Sequence, residues 1–422
     1  SNPMTSRERV NASFNHQQPD QMPVDFGAAS TTGVHVLAVQ NMRKIFGLED
    51  RPIKIVEPYQ MLGEVDEELR NLIGIDVIGV NPKNNMFGFA NDNYSKEFKT
   101  FWGQTVLVPE DFNTRIDEKG DLLIYPEGDM NAPASGKMPQ KSYFFDTIIR
   151  QEPVDDSNLN VEDNLEEFGA ITEDALKYIV NEVNKAYETD KAILVNYGGT
   201  ALGDIALVPG PFLKHPKGIR DISEWYMSTL IRRDYIAEIF DRQSNIAIEN
   251  LKKLFDAVGN KISAIYMCGT DFGTQDSTFC APDDFDSLWK PYYKRMNDWI
   301  HQNTEWKAFK HSCGAIEPLI QNLIEAGFDI LNPVQINARN MIPENLKKQY
   351  GHQVTFWGGG VDTQVVLASG TPQEVMKQVL YLCEVFNKNG GFIYNTIHNT
   401  QANVPIENLE AMIKAIHKFN GK

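Results

Sequence analysis

The stretch Trp306-Lys307-Ala308-Phe309-Lys310-His311-Ser312-Cys313-Gly314 is a largely apolar run that stops at a glycine, with an imidazole and a thiol two residues apart at its end. A short apolar run bounded by a turn residue is the pattern of a buried strand. In a strand, alternation puts His311 and Cys313 on one face, close enough to hold one ion. Similar runs recur along the chain, at residues 22–27, 74–80, 192–199, 262–268, 306–311, 329–333, 354–358 and 391–396. Helical periodicity falls around and between them, at 34–46, 65–72, 172–189, 222–230, 235–258, 283–302, 316–326, 343–350, 372–387 and 406–419. Strand–helix alternation repeated eight times predicts an α/β fold of the closed (β/α)8, or TIM-barrel, type. An open doubly wound sheet is the alternative, but no Gly-x-Gly-x-x-Gly follows the first strand.

Residues 83–190 interrupt the repeat and predict a β-rich insertion between the second and third barrel strands, inside one domain spanning 4–422. Segments 98–102 and 105–108 read as short strands, and 114–117 with 121–125 as a hairpin through Glu118-Lys119-Gly120. Residues 126–142 read as an exposed loop and 155–167 as a solvated acidic stretch, the whole serving as a lid or contact surface. At the other end, Thr5 or Ser6 caps a helix that Pro19 ends. Ser1-Asn2-Pro3 ahead of Met4 reads as an expression remnant.

The 422 residues are 42% hydrophobic and carry a formal net charge of -17. That balance disfavours nucleic acid as a partner, since phosphate meets repulsion over most of the surface. Four cysteines in so long a chain make no disulfide framework. With no apolar run near the length of a membrane span and no signal peptide, the expected setting is cytoplasmic, reduced and away from the membrane.

A barrel of this kind works at the C-terminal ends of its strands. Asp25, Asn81, Tyr197, Asp271, His311, Cys313, Gln335, Asp362 and His398 all fall at or just past such an end. His311 and Cys313 are donors suited to Zn²⁺, which in catalytic sites takes three protein ligands and keeps a fourth position open. His398 is the expected third ligand, with Cys268 and Cys280 as second choices, whereas Cys383 reads as core. The competing reading makes His311 and Cys313 ordinary core or hydrogen-bonding residues. Asp271 and Asp25 are candidates for proton handling, and Asn81, Tyr197, Gln275, Gln335 and Asp362 for substrate contacts. Asp76 sits inside an apolar strand, where a carboxylate needs either a partner or a catalytic job. Gly358-Gly359-Gly360 reads equally as an anion-binding turn with free amides or as a plain tight turn.

Several long motifs, in order, resemble the uroporphyrinogen decarboxylase superfamily. They are Met4-Thr5-Ser6-Arg7-Glu8-Arg9-Val10, Asp271-Phe272-Gly273-Thr274-Gln275-Asp276, His311-Ser312-Cys313-Gly314, Ile330-Leu331-Asn332-Pro333-Val334-Gln335, Trp357 through Gln364, and His398-Asn399-Thr400-Gln401 with Pro405-Ile406-Glu407-Asn408. The haem-pathway decarboxylases of that superfamily carry arginines after the first strand, where this chain reads Asp25-Phe26-Gly27-Ala28-Ala29. Asp76 matches their second-strand aspartate, which implies a catalytic role for it. The resemblance to the other branch, zinc methyltransferases such as the methylcobalamin:coenzyme M enzymes, matches His311 and Cys313 to the zinc ligands and His398 to a late cysteine. It implies a zinc enzyme that moves a methyl group between a small substrate and a corrinoid (cobalamin) on a partner protein. The alternatives are a decarboxylase of a tetrapyrrole or other polycarboxylate, with Arg150, Arg232 or Arg233 as anion partners, and a non-catalytic corrinoid- or tetrapyrrole-binding module.

Overall fold

In the computed structural model, which describes residues 2–422, seven parallel strands lie side by side. Their order is Val77–Val80, Ala192–Val195, Ala264–Cys268, Lys307–His311, Ile330–Asn332, Thr355–Trp357 and Phe392–Ile393. The gap between the first and last is filled by the chain at Val24. Tyr394 N donates to Pro23 O (2.8 Å) and Asp25 N to Tyr394 O (2.9 Å), while Asp76 N donates to Val24 O (2.8 Å) on the other side. The sheet therefore closes as a TIM barrel, its first strand reduced to a single parallel bridge, Val24 to Tyr394. Pro23 has no amide hydrogen to give a ladder, which limits that strand's length.

The Val24 amide shows what Asp76 does. It donates not to a backbone carbonyl but to Asp76 Oδ2, at 2.9 Å. Asp76 Oδ1 also accepts from Ser6 Oγ at 2.6 Å and pairs with Arg9 Nη1 at 2.7 Å. A buried carboxylate with a guanidinium, a hydroxyl and an amide around it is satisfied. It lies just before Val77, at the N-terminal end of its strand, away from the mouth. The expectation of a catalytic Asp76 is corrected: it fastens the closing strand and the first helix to the barrel.

That helix, Ser6–Phe14, starts with a capping box between Thr5 and Glu8 and stops at Phe14, well before Pro19. Val10 and Phe14 join the inward-facing Val77, Ala192, Leu194, Ala264, Tyr266, Phe309, Ile330, Trp357 and Ile393 in one buried cluster that fills the barrel. On Lys307–His311 the period of two that turns Phe309 inward also turns His311 inward, at the C-terminal end. Gly79 faces the loop after the first strand so closely that a Cβ would lie 1.7 Å from Ala28 O.

The β-rich part begins earlier than residue 83. Ile53–Glu57 and Leu62–Gly63 join Thr105–Val108 and Lys96–Lys99 in a four-stranded sheet. In Ile53–Glu57, Ile53 and Ile55 are buried while Lys54 and Val56 are exposed, a half-buried strand by alternation. The hairpin Thr114–Ile116/Leu122–Ile124 continues into Gly136–Met138 and Asp146–Thr147, so residues 126–142 are not all loop. The stretch 155–167 is only partly solvated, since Arg220 Nη1 draws Glu167 Oε2 inward to 2.5 Å. Among the described residues, no helix is long and apolar enough to cross a membrane.

Candidate active site at the barrel mouth

His311 ends its strand, and Cys313 follows on a turn made possible by Gly314 (φ +89°), a left-handed conformation that glycine adopts without strain. That turn presses against the loop after Ala264–Cys268, because Ala315 N donates to Thr274 O at 2.7 Å. A Cβ on Gly314 would stand 2.5 Å from the Gly273 carbonyl carbon. The contact brings Asp271 to the histidine and cysteine. One donor atom from each of Asp271, His311 and Cys313 lies within 4.8 Å of the others. Asp271 Oδ1 is 3.4 Å from His311 Nε2, 3.3 Å from Cys313 Sγ, and accepts the Cys313 amide at 3.1 Å.

The electrostatics follow from this crowding. Burial pushes the Asp271 carboxyl up, but the His311 ring, the Cys313 amide and Lys310 outweigh it and bring it down to about 2. Burial pushes His311 down, and hydrogen bonds with Asp271 and Cys313 overcome that and lift it to about 10. The ring's other nitrogen, Nδ1, lies 2.7 Å from Asn332 Oδ1, and Asn332 Nδ2 donates to Trp357 O at 2.7 Å. Nε2 is thereby aimed at the Asp271–Cys313 group. A histidine at a strand end and a cysteine and a carboxylate on neighbouring loops, with the histidine oriented from behind, form a donor set that fits zinc.

His398, the expected third ligand, stays outside that group. Its Nε2 is buried without a hydrogen-bond partner, though the ring feels His311, Asp271 and Asp362. Its backbone is held by Thr396 Oγ1, which donates to His398 O, and by Ile397 N, which donates to Thr363 Oγ1. The second-choice cysteines are elsewhere: Cys268 Sγ meets Tyr293 OH at 2.9 Å in the core, and burial pushes the Cys280 thiol up to about 12. Cys383 is buried, as its apolar neighbours imply.

The remaining candidates divide. Asp25 is fully buried in the barrel, bound to Trp357 Nε1 (3.0 Å) and the Ala28 amide (3.1 Å), and burial lifts it to about 7. Tyr197 turns away from the mouth, its hydroxyl donating to Ala247 O at 3.1 Å in helix Arg233–Val258, which corrects its reading as a substrate contact. Gln335 accepts the Gly314 amide (2.8 Å) and donates to Gln275 Oε1 (3.2 Å), so both glutamines tie mouth loops together. Asp362 caps its own turn through the Gln364 and Val365 amides. Asn81 is exposed beyond its strand. The glycine turn is a tight turn, not an anion seat: its three amides donate to Ile393 O, Thr396 O and Asn395 O.

Sequence reasoning missed three residues here. Lys310 is fully buried, donating to Thr270 O and to His311 O (2.6 Å), over the Phe272 ring. Its signal was a lysine inside an apolar strand. Asp204, on the loop after Ala192–Val195, is pushed up by burial and by Asp271, beside His311 and Lys310. Tyr226, on helix Ile222–Ile231, has a buried hydroxyl without a partner, in the field of Asp271, Asp204 and Cys313. Neither of these two had a local sequence signal.

The fold and this cluster define a TIM-barrel protein with a histidine–cysteine–carboxylate site at the C-terminal ends of its strands. Residues 211–419 match the uroporphyrinogen decarboxylase (URO-D) family, so the C-terminal half of the chain carries a domain of that family. A methyltransferase from Methanosarcina mazei has a similar structure, with a TM-score of 0.54 at 13% identity, over 99% of each chain. Endo-glycoceramidase II from Rhodococcus sp. is similar over 60% of this chain and 69% of its own, with a TM-score of 0.37 and 10% identity, too distant to bear on function. No curated protein matches the chain.

Proposed function

We propose that the protein is a zinc-dependent methyltransferase that moves a methyl group between a small substrate and a corrinoid carried by a partner protein. The observation that carries this reading is the Asp271–His311–Cys313 group, drawn from one strand end and two adjacent loops at the barrel mouth. His311 and Cys313 would hold the metal, with Asp271 the third donor that the geometry favours and His398 near enough to feel the charges of His311 and Asp271. When bound, zinc supplies Lewis acidity to the heteroatom that gains or loses the methyl. Around it the chain's own groups do the positioning: Asn332 fixes the His311 ring, and the Cys313 amide holds the Asp271 carboxylate.

The decarboxylase reading needs cationic side chains free to take carboxylates. The three arginines considered for that task are engaged. Arg150 donates to the carbonyls of Gly210 and Leu213, Arg232 pairs with Asp156, and Arg233 meets Asp284 and Ser287. This favours a methyl-transfer site over a polycarboxylate site.

The test is to load the protein with zinc and incubate it with free methylcobalamin and a panel of thiols, alcohols, phenols and amines, following loss of the carbon–cobalt absorbance. Demethylation with at least one acceptor, abolished in Cys313→Ala, supports the reading. Turnover of uroporphyrinogen that survives Cys313→Ala, with no demethylation of the corrinoid, overturns it.

A further inference from the structure

Beside Asp271 lies a cavity of about 380 Å³ that the loops after Ala192–Val195 and Ala264–Cys268 share with helix Ile222–Ile231. Its walls include Trp225, Tyr226, Phe272, Phe279 and Trp289, five aromatic side chains on three separate segments. Tyr226 and Phe279 stack at 5.1 Å between ring centroids with 23° between their planes, and Phe272 meets Trp289 edge-on at 5.3 Å. The Tyr226 hydroxyl is buried without a partner, an uncommon state for a polar atom and one that a ligand can relieve. Arg233 is the one cation among the described residues lining the cavity, and it is already held by Asp284 and Ser287. Asp271 and Asp284 on the same wall leave no unengaged cation there, so a carboxylate or phosphate would find no partner in the cavity. The volume lies at the small end of ligand pockets, room for a single ring rather than a tetrapyrrole.

The geometry points to a neutral aromatic compound as the small substrate of this site, its ring seated against the Tyr226–Phe279 pair and a ring oxygen substituent hydrogen-bonded by the Tyr226 hydroxyl. This rests on the methyltransferase reading, and it deepens that reading by naming a substrate class. An oxygen next to a ring lies beside Asp271 while the ring gains offset or edge contacts with the walls. A small aliphatic alcohol would leave most of the aromatic surface uncovered.

Binding can be measured without turnover, because Trp225 and Trp289 line the cavity and report on it by fluorescence. Phenol and methoxybenzene should quench that emission saturably, in zinc-free and zinc-loaded protein alike, with benzoate and cyclohexanol far weaker. Tyr226→Phe should weaken phenol by about fivefold, the scale of one hydrogen bond. Phe279→Ala should weaken both ligands by about tenfold, and zinc content should not change in either variant. Equal binding of cyclohexanol, tighter binding of tetramethylammonium or benzoate than of phenol, or indifference to both substitutions would overturn the inference. Aromatic binding in a protein that takes up no zinc would instead leave this seat standing and remove the metal chemistry beside it.

Discussion

His311 Nδ1 and Asn332 Oδ1 lie 2.7 Å apart, on adjacent strands of the barrel. The Asn332 amide cannot flip without losing its own bond to Trp357 O, so its oxygen must face the ring and Nδ1 must carry the hydrogen. This leaves Nε2 for Asp271 and, on the account above, for a metal. Removing such an orienting partner typically lowers metal affinity by about 10- to 100-fold. Asn332→Ala is expected to do so in a competitive zinc titration, while Asn81→Ala leaves affinity unchanged.

The Arg9–Asp76 pair is a structural lock. With side chains only 7% and 5% exposed, loss of one partner leaves a buried charge alone. Arg9→Ala is expected to cost about 3–5 kcal/mol in urea unfolding. Zinc content of the folded fraction should be unaffected, because the lock sits at the opposite end of the strands from His311. A change in zinc content at unchanged stability would assign Asp76 to the site after all.

His35 predicts a pH dependence. Its Nε2 donates to Tyr143 O (2.8 Å) and its Nδ1 accepts from Leu37 N (3.1 Å), so the ring is held neutral. Burial lowers it from 6.5 to about 4. Between those values the unfolded chain binds the proton and the folded one does not, so stability is full above pH 6.5 and is lost as pH falls toward 4. The loss at this one group is on the order of 3 kcal/mol. Melts at pH 7 and pH 5 should differ less in His35→Asn than in the parent, and an identical pH difference would contradict the assignment.

Gly79→Ala is expected to disrupt the barrel. Its new methyl would overlap the backbone of Ala28, which cannot move like a flexible side chain. Soluble protein with an unchanged melting temperature would show that the first loop is not fixed where it packs on the strand.

The barrel was legible because its strands are apolar runs with periodic helices between them, and the helices 343–350, 372–387 and 406–419 match residue for residue. The Lys307–His311 strand was legible for the same reason. Less visible were elements whose stability comes from distant contacts. Ile53–Glu57 is a strand because Thr105–Val108 pairs with it, half a hundred residues on. Asp76 and Tyr197 were misread because only tertiary packing gives the one Arg9 and turns the other toward Ala247. Asp271 reached the metal-type group through a contact between two glycines, Gly273 and Gly314, which carry no side-chain pattern. The glycine turn at 358–360 read equally as an anion seat or a plain turn, because nothing local shows that residues 393–396 take its amides.

Metal analysis of the purified protein tests the central claim most directly. The account predicts about one zinc ion per chain in the parent, consistent with a three-ligand site. It predicts loss of that zinc in His311→Ala and Cys313→Ala, and a greater loss in Asp271→Ala than in His398→Ala. Zinc retained in Cys313→Ala, or a metal-free parent with full methyltransferase activity, would contradict it.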